Sequence, residues 1–351
     1  MNTAVSTLLL ALAAALLPGL AAAQPATTAS PTEAPQPSPH AIDIPPWFTE
    51  GFLDFREETR EAAAQGRQVM VYIGQDGCPY CHELMVNNFS QKAIVEKTRR
   101  HFNAIALNLW GDREVTWVDG RVMSEKQLAR ALKVQFTPTL LFLDSQGQVV
   151  TRLNGYQAPA RFNAVLDYVS ARVDRQQPLG DYLASRADLR DEARGRLTDQ
   201  PFFIKPPHDL RRRPGGKPLA VLFETRHCQA CDEMHDLGLQ RPEVRAQFRR
   251  MDVARFALGD AVALTGPTGQ ALRADAWARQ LAISHTPTLV FFDEHGAEVF
   301  RVDGYTRPFH LASAFEYVAT GAYRQQPEFQ RYIQARADAL RARGVKVELW
   351  P

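Results

Sequence analysis

Val71-Tyr72-Ile73-Gly74-Gln75-Asp76-Gly77-Cys78-Pro79-Tyr80-Cys81 runs an apolar strand straight into a cysteine pair. Further along, Phe136-Thr137-Pro138-Thr139-Leu140-Leu141-Phe142 opens a second apolar strand on a proline. Both elements recur: Cys78/Cys81 as Cys228/Cys231, and Thr137-Pro138-Thr139-Leu140 as Thr286-Pro287-Thr288-Leu289. Asp144 and Gly147 return as Asp293 and Gly296, Gly155-Tyr156 as Gly304-Tyr305, and Arg175-Gln176-Gln177-Pro178 as Arg324-Gln325-Gln326-Pro327. The offset stays within one residue of 150 throughout. A duplicated domain explains this order, and a chain of 351 residues has room for two domains of ~150 residues.

Each copy shows the same succession of periodicities. Residues 69–73 and 219–223 read as short buried strands, and helical spacing follows the cysteines to about 99 and 250. Residues 104–109 and 251–257 suit a second strand; 124–134 and 271–283 suit a second helix, with Ser124 as a cap. Strands at 139–143 and 149–153, and at 288–292 and 298–302, flank Gly turns and read as hairpins. Helices follow at 160–173 and 308–320, and charged helical stretches at 179–196 and 328–343. The predicted class is α/β: two tandem domains, each a central mixed sheet flanked by helices. The predicted boundaries are 45–178 and 216–345, joined by a helical linker at 179–215.

All four cysteines belong to the two Cys-x-x-Cys pairs. The thiolate is the attacking species in disulfide exchange. A cysteine placed where a strand ends and a helix begins meets backbone N–H groups and the positive end of the helix dipole, which favour the thiolate. Cys78 and Cys228 are therefore the expected nucleophiles. Cys81 and Cys231, one turn on, are the expected resolving thiols. Pro79 suits a first helical turn. Thr137-Pro138 and Thr286-Pro287 precede apolar strands, where a cis bond is feasible. In this topology they would shape a groove for a substrate's extended chain.

These motifs resemble the thioredoxin-like superfamily, in particular its periplasmic thioredoxin-related branch. That branch includes thioredoxins associated with sulfur oxidation and disulfide-interchange proteins. The resemblance covers both copies, about residues 46–345. It implies the fold, a cis-proline loop and thiol–disulfide exchange with no cofactor beyond the redox-active disulfides. Departures bear on direction and partner. Gly77 and His227 stand where thioredoxins have Trp, and Pro79-Tyr80 and Gln229-Ala230 replace Gly-Pro. Cys-Pro-Tyr-Cys is similar to glutaredoxins, without a further glutathione signature. The buried Asp that thioredoxins carry six residues before the first cysteine is replaced by Tyr72 and Leu222. Glu224 is a candidate to take its place, although a strand-end Glu is ordinarily exposed. Thr before the proline is similar to disulfide isomerases. His227 beside Cys228, and Asp232 after Cys231, are expected to give the second pair its own reduction potential.

Other readings share the same residues. Cys78-Pro79-Tyr80-Cys81-His82 contains a c-type haem attachment pattern, although Asp232 stands where the second copy would need His. Two Cys-x-x-Cys pairs also suit zinc, but here they lie in separate copies. A non-catalytic scaffold or chaperone of the same fold is a third reading. Trp110, Trp117, Trp277, Tyr156 and Tyr305 read as packing groups.

The net charge of +2 is too small for an electrostatic nucleic-acid footprint. Arg211-Arg212-Arg213 reads as a solvated linker. Residues 8–17 form an apolar core of signal-peptide length, and Ala21-Ala22-Ala23 supplies a cleavage site before Gln24. Residues 1–23 are then a signal peptide and 24–44 a Pro/Ala/Ser/Thr-rich disordered spacer. The expectation is a periplasmic monomer that reduces disulfides in protein partners, fed by a membrane thiol donor. Isomerisation or oxidation is the alternative.

Overall fold

The computed structural model describes residues 41–49, 51, 53–189 and 194–347. The expected signal peptide, and the spacer up to residue 40, lie outside the described residues. Ile42, assigned to the spacer, already packs on the first core, and its N–H donates to Asp76 Oδ1 at 3.1 Å.

The first copy runs α1 (Phe55–Ala64), β1 (Gln68–Gly74), α2 (Pro79–Glu83), α3 (Lys92–His101), β2 (Phe102–Asn108), β3 (Glu114–Thr116), β4 (Val122–Ser124), α4 (Glu125–Ala131), β5 (Thr139–Leu143), β6 (Val149–Asn154), α5 (Pro159–Ser170) and α6 (Leu179–Ser185). The second runs β7 (His208–Asp209), β8 (Leu219–Glu224), α7 (Gln229–Glu233), α8 (Pro242–Arg245), β9 (Asp252–Ala257), β10 (Ala263–Thr265), β11 (Ala271–Arg273), α9 (Ala274–Gln280), β12 (Thr288–Phe292), β13 (Glu298–Asp303), α10 (Pro308–Ala319) and α11 (Phe329–Arg341). The central sheets have the same order, β2-β1-β5-β6 and β9-β8-β12-β13. In each the first pair is parallel and the other two are antiparallel.

β1 is buried along its whole length, so its apolar run serves two cores by strand alternation. Met70 and Tyr72 face the core that holds Cys78 and Cys81, while Val69, Val71 and Ile73 face the opposite one. β8 does the same: Ala220 and Leu222 face one core, and Leu219, Val221 and Phe223 the other.

Several local features differ from expectation. The helix after each cysteine pair is not continuous: a π-turn over Leu84–Asn88 or Met234–Gly238 ends it, and a new helix begins at Lys92 or Pro242. The small hairpins β3–β4 and β10–β11 lack the long alternation that marks a strand, and α1 precedes the first strand. Ser124 sits at the N-cap of α4, where Gln127 Oε1 accepts its N–H at 2.8 Å.

The predicted helical linker at 179–215 needs correction. It is helical only at Leu179–Ser185 and Ala187–Leu189, and 190–193 lie outside the described residues. Pro201, Pro206, Pro207 and Pro214 deny the remainder a helical ladder. That stretch instead builds the second copy. Leu210 is fully buried, β7 pairs with β10, and Ile204 N–H donates to Val253 O at 2.8 Å. Arg212 of the supposedly solvated basic run is also packed, donating to Asp252 at 2.7 Å.

Aromatic packing joins the copies. Phe136 of the first lies 5.3 Å from Phe329 and 5.5 Å from Phe300, ring centre to centre. Phe329 is fully buried and also meets Tyr317 and Tyr332. Phe329→Ala is expected to cost about 3–5 kcal/mol in urea unfolding, with the second copy losing its hold on Phe136. An unfolding midpoint equal to that of the parent protein would contradict this packing role.

Candidate functional site

β1 delivers the chain to Cys78, which is the N-cap of α2, with Pro79 in the first helical turn. The Cys81 N–H points at Cys78 Sγ from 3.1 Å. Cys78 and Cys81 are joined as a disulfide; Cys81 is fully buried and Cys78 is 3 % exposed. The Thr137–Pro138 loop, cis at its peptide bond, closes over this sulfur pair. Thr137 Oγ1 donates to Cys78 Sγ at 3.3 Å, and the Thr137 carbonyl oxygen lies 3.4 Å from the same sulfur. Gly155 N–H donates to the Pro138 carbonyl at 2.8 Å and ties the loop to the end of β6. All four residues expected in the first site are therefore in one place.

The second centre repeats the frame. Cys228 caps α7, the Cys231 N–H lies 3.1 Å from Cys228 Sγ, the two are disulfide-bonded, and Thr286–Pro287 is cis. The surroundings differ. Thr286 Oγ1 pairs with Thr225 Oγ1 at 3.2 Å rather than with sulfur. Gly77 adopts φ +74°, open to glycine but strained for other residues, and His227 takes its place in the second copy. The backbone reaches the two cysteines differently, with φ −93° at Cys78 and −151° at Cys228. Asp232, expected with His227 to set the second pair's potential, accepts the Arg194 N–H on its carboxylate at 2.9 Å, and the guanidinium lies 3.8 Å away. Nothing in the spacing of the sequence pointed to Arg194.

Beneath the two cysteine helices the copies fill one space in two ways. In the first, Tyr72 extends under Gly74; a Cβ at Gly74 would lie almost on the tyrosine hydroxyl. That hydroxyl is buried without a partner, and desolvation, with Asp76 adding to it, drives its pKa upward. In the second copy Leu222 is shorter, and Glu224 occupies the freed volume. Glu224 is 1 % exposed, so the ordinary exposed reading of a strand-end Glu is wrong here. β8 continues past Leu222 for two buried residues, and alternation keeps Glu224 on the Leu222 face. Its Oε1 meets His235 Nε2 at 2.7 Å; His235 is also 1 % exposed, and its Nδ1 faces Gln200 Nε2 at 3.3 Å.

Each centre opens into a cleft walled by both copies. A cavity of about 490 Å³ contains Cys78, Thr137 and Trp110 of the first copy with Tyr305, Gln330 and Arg331 of the second. A larger one of about 930 Å³ contains Cys228 and Thr286 with Tyr80, Tyr156, Gly180 and Leu183. Trp117 and Trp277 are core residues as expected, whereas Trp110, Tyr156 and Tyr305 line the clefts. Tyr80, between the first two cysteines, is held by the second copy: Arg307 N–H donates to its hydroxyl at 2.7 Å, and the Arg307 side chain bridges to Glu83 at 2.8 Å. His310 stands edge-on to the Tyr80 ring at 5.6 Å. Desolvation, reinforced by Arg307, pushes His310 down to about 4. Desolvation, with Arg161 nearby, also lowers His285, which lines the second cleft. His82 is exposed on the surface of α2. Among the described residues no group of three or more His, Cys, Asp or Glu is placed to hold a metal ion.

The family model described as a thioredoxin-like domain matches residues 55–170 and 211–319. Among solved structures, a thioredoxin-fold protein from Helicobacter pylori is 25 % identical over 35 % of this chain and 76 % of its own, with a TM-score of 0.28. A thioredoxin from Thermus thermophilus is 24 % identical over 39 % of this chain and 92 % of its own, with a TM-score of 0.27. The oxidised C-terminal domain of DsbD from Neisseria meningitidis is 14 % identical over 33 % and 88 %, with a TM-score of 0.25. No curated protein sequence gives a significant match.

Tyr72→Phe removes an unpaired buried hydroxyl and is expected to raise thermal stability by up to about 1 kcal/mol, whereas Glu224→Ala strands His235 and is expected to lose about 1–3 kcal/mol. Calorimetry of both variants checks the pair, and opposite signs would refute the assignment. His310 stays neutral in the folded chain while the unfolded chain takes up a proton, so stability should fall as pH drops from 6.5 to about 4. His310→Asn should flatten that part of the curve; an unchanged slope would count against it.

Proposed function

From the premise that this chain belongs to the thioredoxin-like domain family, in two tandem copies, and is a thiol–disulfide oxidoreductase, we propose that it reduces disulfides in exported partner proteins. Cys78 and Cys228 are the attacking sulfurs, and Cys81 and Cys231 resolve. The observation that carries this reading is the pairing of each N-capping sulfur with a backbone N–H at 3.1 Å, under a Thr-Pro loop from far along the chain. A fixed dipole aimed at sulfur stabilises the thiolate, the species that reacts.

In the dithiol form, the Cys78 thiolate attacks one sulfur of a partner disulfide. A mixed disulfide forms, and the partner's other sulfur leaves as a thiolate and takes a proton. Cys81, deprotonated in turn, attacks Cys78 Sγ. The Cys78–Cys81 bond forms, and the second partner sulfur departs. Two electrons and two protons have passed to the partner, leaving the bridged centre seen here. A donor dithiol then reverses these steps on the enzyme. Thr137, whose hydroxyl and carbonyl both touch Cys78 Sγ, positions the sulfur for both attacks. The loop beside it receives the partner's backbone.

The signal-peptide pattern at 1–23 supports work in the periplasm, where a membrane thiol carrier would supply the electrons to a monomeric enzyme. Cys81→Ser and Cys231→Ser should each accumulate mixed disulfides with partners on non-reducing gels. Cys78→Ser and Cys228→Ser should accumulate none at their own centres. Alkylation of intact cells should find the cysteines largely reduced at steady state. A population with both pairs bridged would overturn the reductive direction.

A further inference from the structure

The terminal helix of each copy lies across the cysteine centre of the other. α11 belongs to the second copy by its core residues Phe329 and Ile333, yet Gln330, Arg331 and Gln334 wall the Cys78 cleft. α6 belongs to the first copy by Leu179 and Leu183, yet Gly180 and Ala184 wall the Cys228 cleft. The seating is reciprocal. At the start of α11, Phe329 N–H donates to Gln135 Oε1 at 3.1 Å, and Gln330 Nε2 donates to the Gln135 carbonyl at 3.0 Å, just ahead of Thr137-Pro138. At the start of α6, Gly180 approaches so closely that a Cβ there would lie 2.7 Å from the Ile283 carbonyl, just ahead of Thr286-Pro287.

A clasp holds the α11 side shut. Gln330 Oε1 accepts from Gln75 Nε2 at 3.0 Å, and Gln75 Oε1 accepts from Trp110 Nε1 at 2.6 Å. The Arg331 guanidinium lies 4.6 Å over the Trp110 ring, and Glu328 pairs with Arg130 at 2.7 Å. Cys78, 3 % exposed, is thus at the floor of a slot with one wall from each copy.

We propose that these crossed helices are the specificity elements of the enzyme: they admit cysteines carried on extended, flexible segments and exclude cysteines set in the rigid surface of a folded protein. This rests on the exchange reading above. Exchange needs the partner's sulfur to enter along the axis of the sulfur it attacks, so access limits the rate. A single extended strand needs only about 5 Å between its neighbours, which a slot can provide. A folded surface is stopped by the opposite wall before its sulfur arrives. The cavity of about 490 Å³ has the size of a site for a short segment.

The test uses the reduced full chain and one leaving group. A 5-thio-2-nitrobenzoate mixed disulfide is made on the cysteine of a linear peptide and on one surface cysteine of a compact folded protein. Each rate is divided by the rate with dithiothreitol, which cancels intrinsic reactivity. The peptide should be favoured by about tenfold or more, as expected of steric exclusion built against a competitor. Gln330→Ala with Arg331→Ala opens the clasp and should shrink that preference, mainly by raising the rate with the folded substrate. Equal normalised rates in the parent protein would overturn the proposal while leaving exchange standing, and need no variant to fold. So would a preference that survives the opened clasp in a folded variant. Rapid reaction with free 5,5′-dithiobis(2-nitrobenzoate) but not with the peptide would overturn it in favour of a small-molecule site. Failure to react with any of these disulfides would sink the exchange reading itself.

Discussion

A backbone N–H aimed at a sulfur is the contact on which the rest of this structure depends. It exists only because a buried strand stops at Cys78 or Cys228 and the chain turns at once into a helix. The strand is buried on both faces, which fixes where it ends. The helix is short and passes into a π-turn, so its first residues are held by tertiary packing rather than by length. The proline-led loop arrives from 59 residues away to meet the first sulfur. Neither partner in that contact has a function alone; the sheet order brings them together.

How much of this was legible follows from the range of the interactions. The duplication, the sheet strands and the cysteine–proline pairing rest on local periodicity and on motif spacing, and a sequence displays both. β5 and β12 stand at the residues that their apolar runs delimited. The short hairpins and the packed segment that contains Leu210 are decided by distant neighbours, and no local pattern announces them. Glu224 shows the boundary well. Its position beside a shortened Leu222 was visible, but its burial depended on Tyr72 having no counterpart in the second copy and on His235 arriving from beyond the cysteines. Arg194, Arg307 and Gln330 act across gaps far longer than any periodicity.

The two copies agree in frame and differ in filling. The first centre has Thr137 on its sulfur and a buried tyrosine below. The second has Thr286 turned to Thr225, Arg194 on Asp232, and a glutamate–histidine pair below. The strand order that the two separate sheets have in common preserves geometry, while residues around each sulfur set its electrostatics. Two centres of one mechanism are thus free to hold different potentials.

The meeting of Asn154 with Asp303 shows what covalent fusion makes possible. The two occupy corresponding positions in the repeat, and the amide donates to the carboxylate at 2.7 Å. In a dimer of identical chains, a residue on the symmetry axis faces its own twin. Two aspartates there would repel, and neither would have a proton to give. Writing both halves into one polypeptide breaks that identity, so donor can sit opposite acceptor at the join. Inheritance as a single gene product thereby removes the self-complementarity constraint, and each half can be altered without the same alteration appearing across from it.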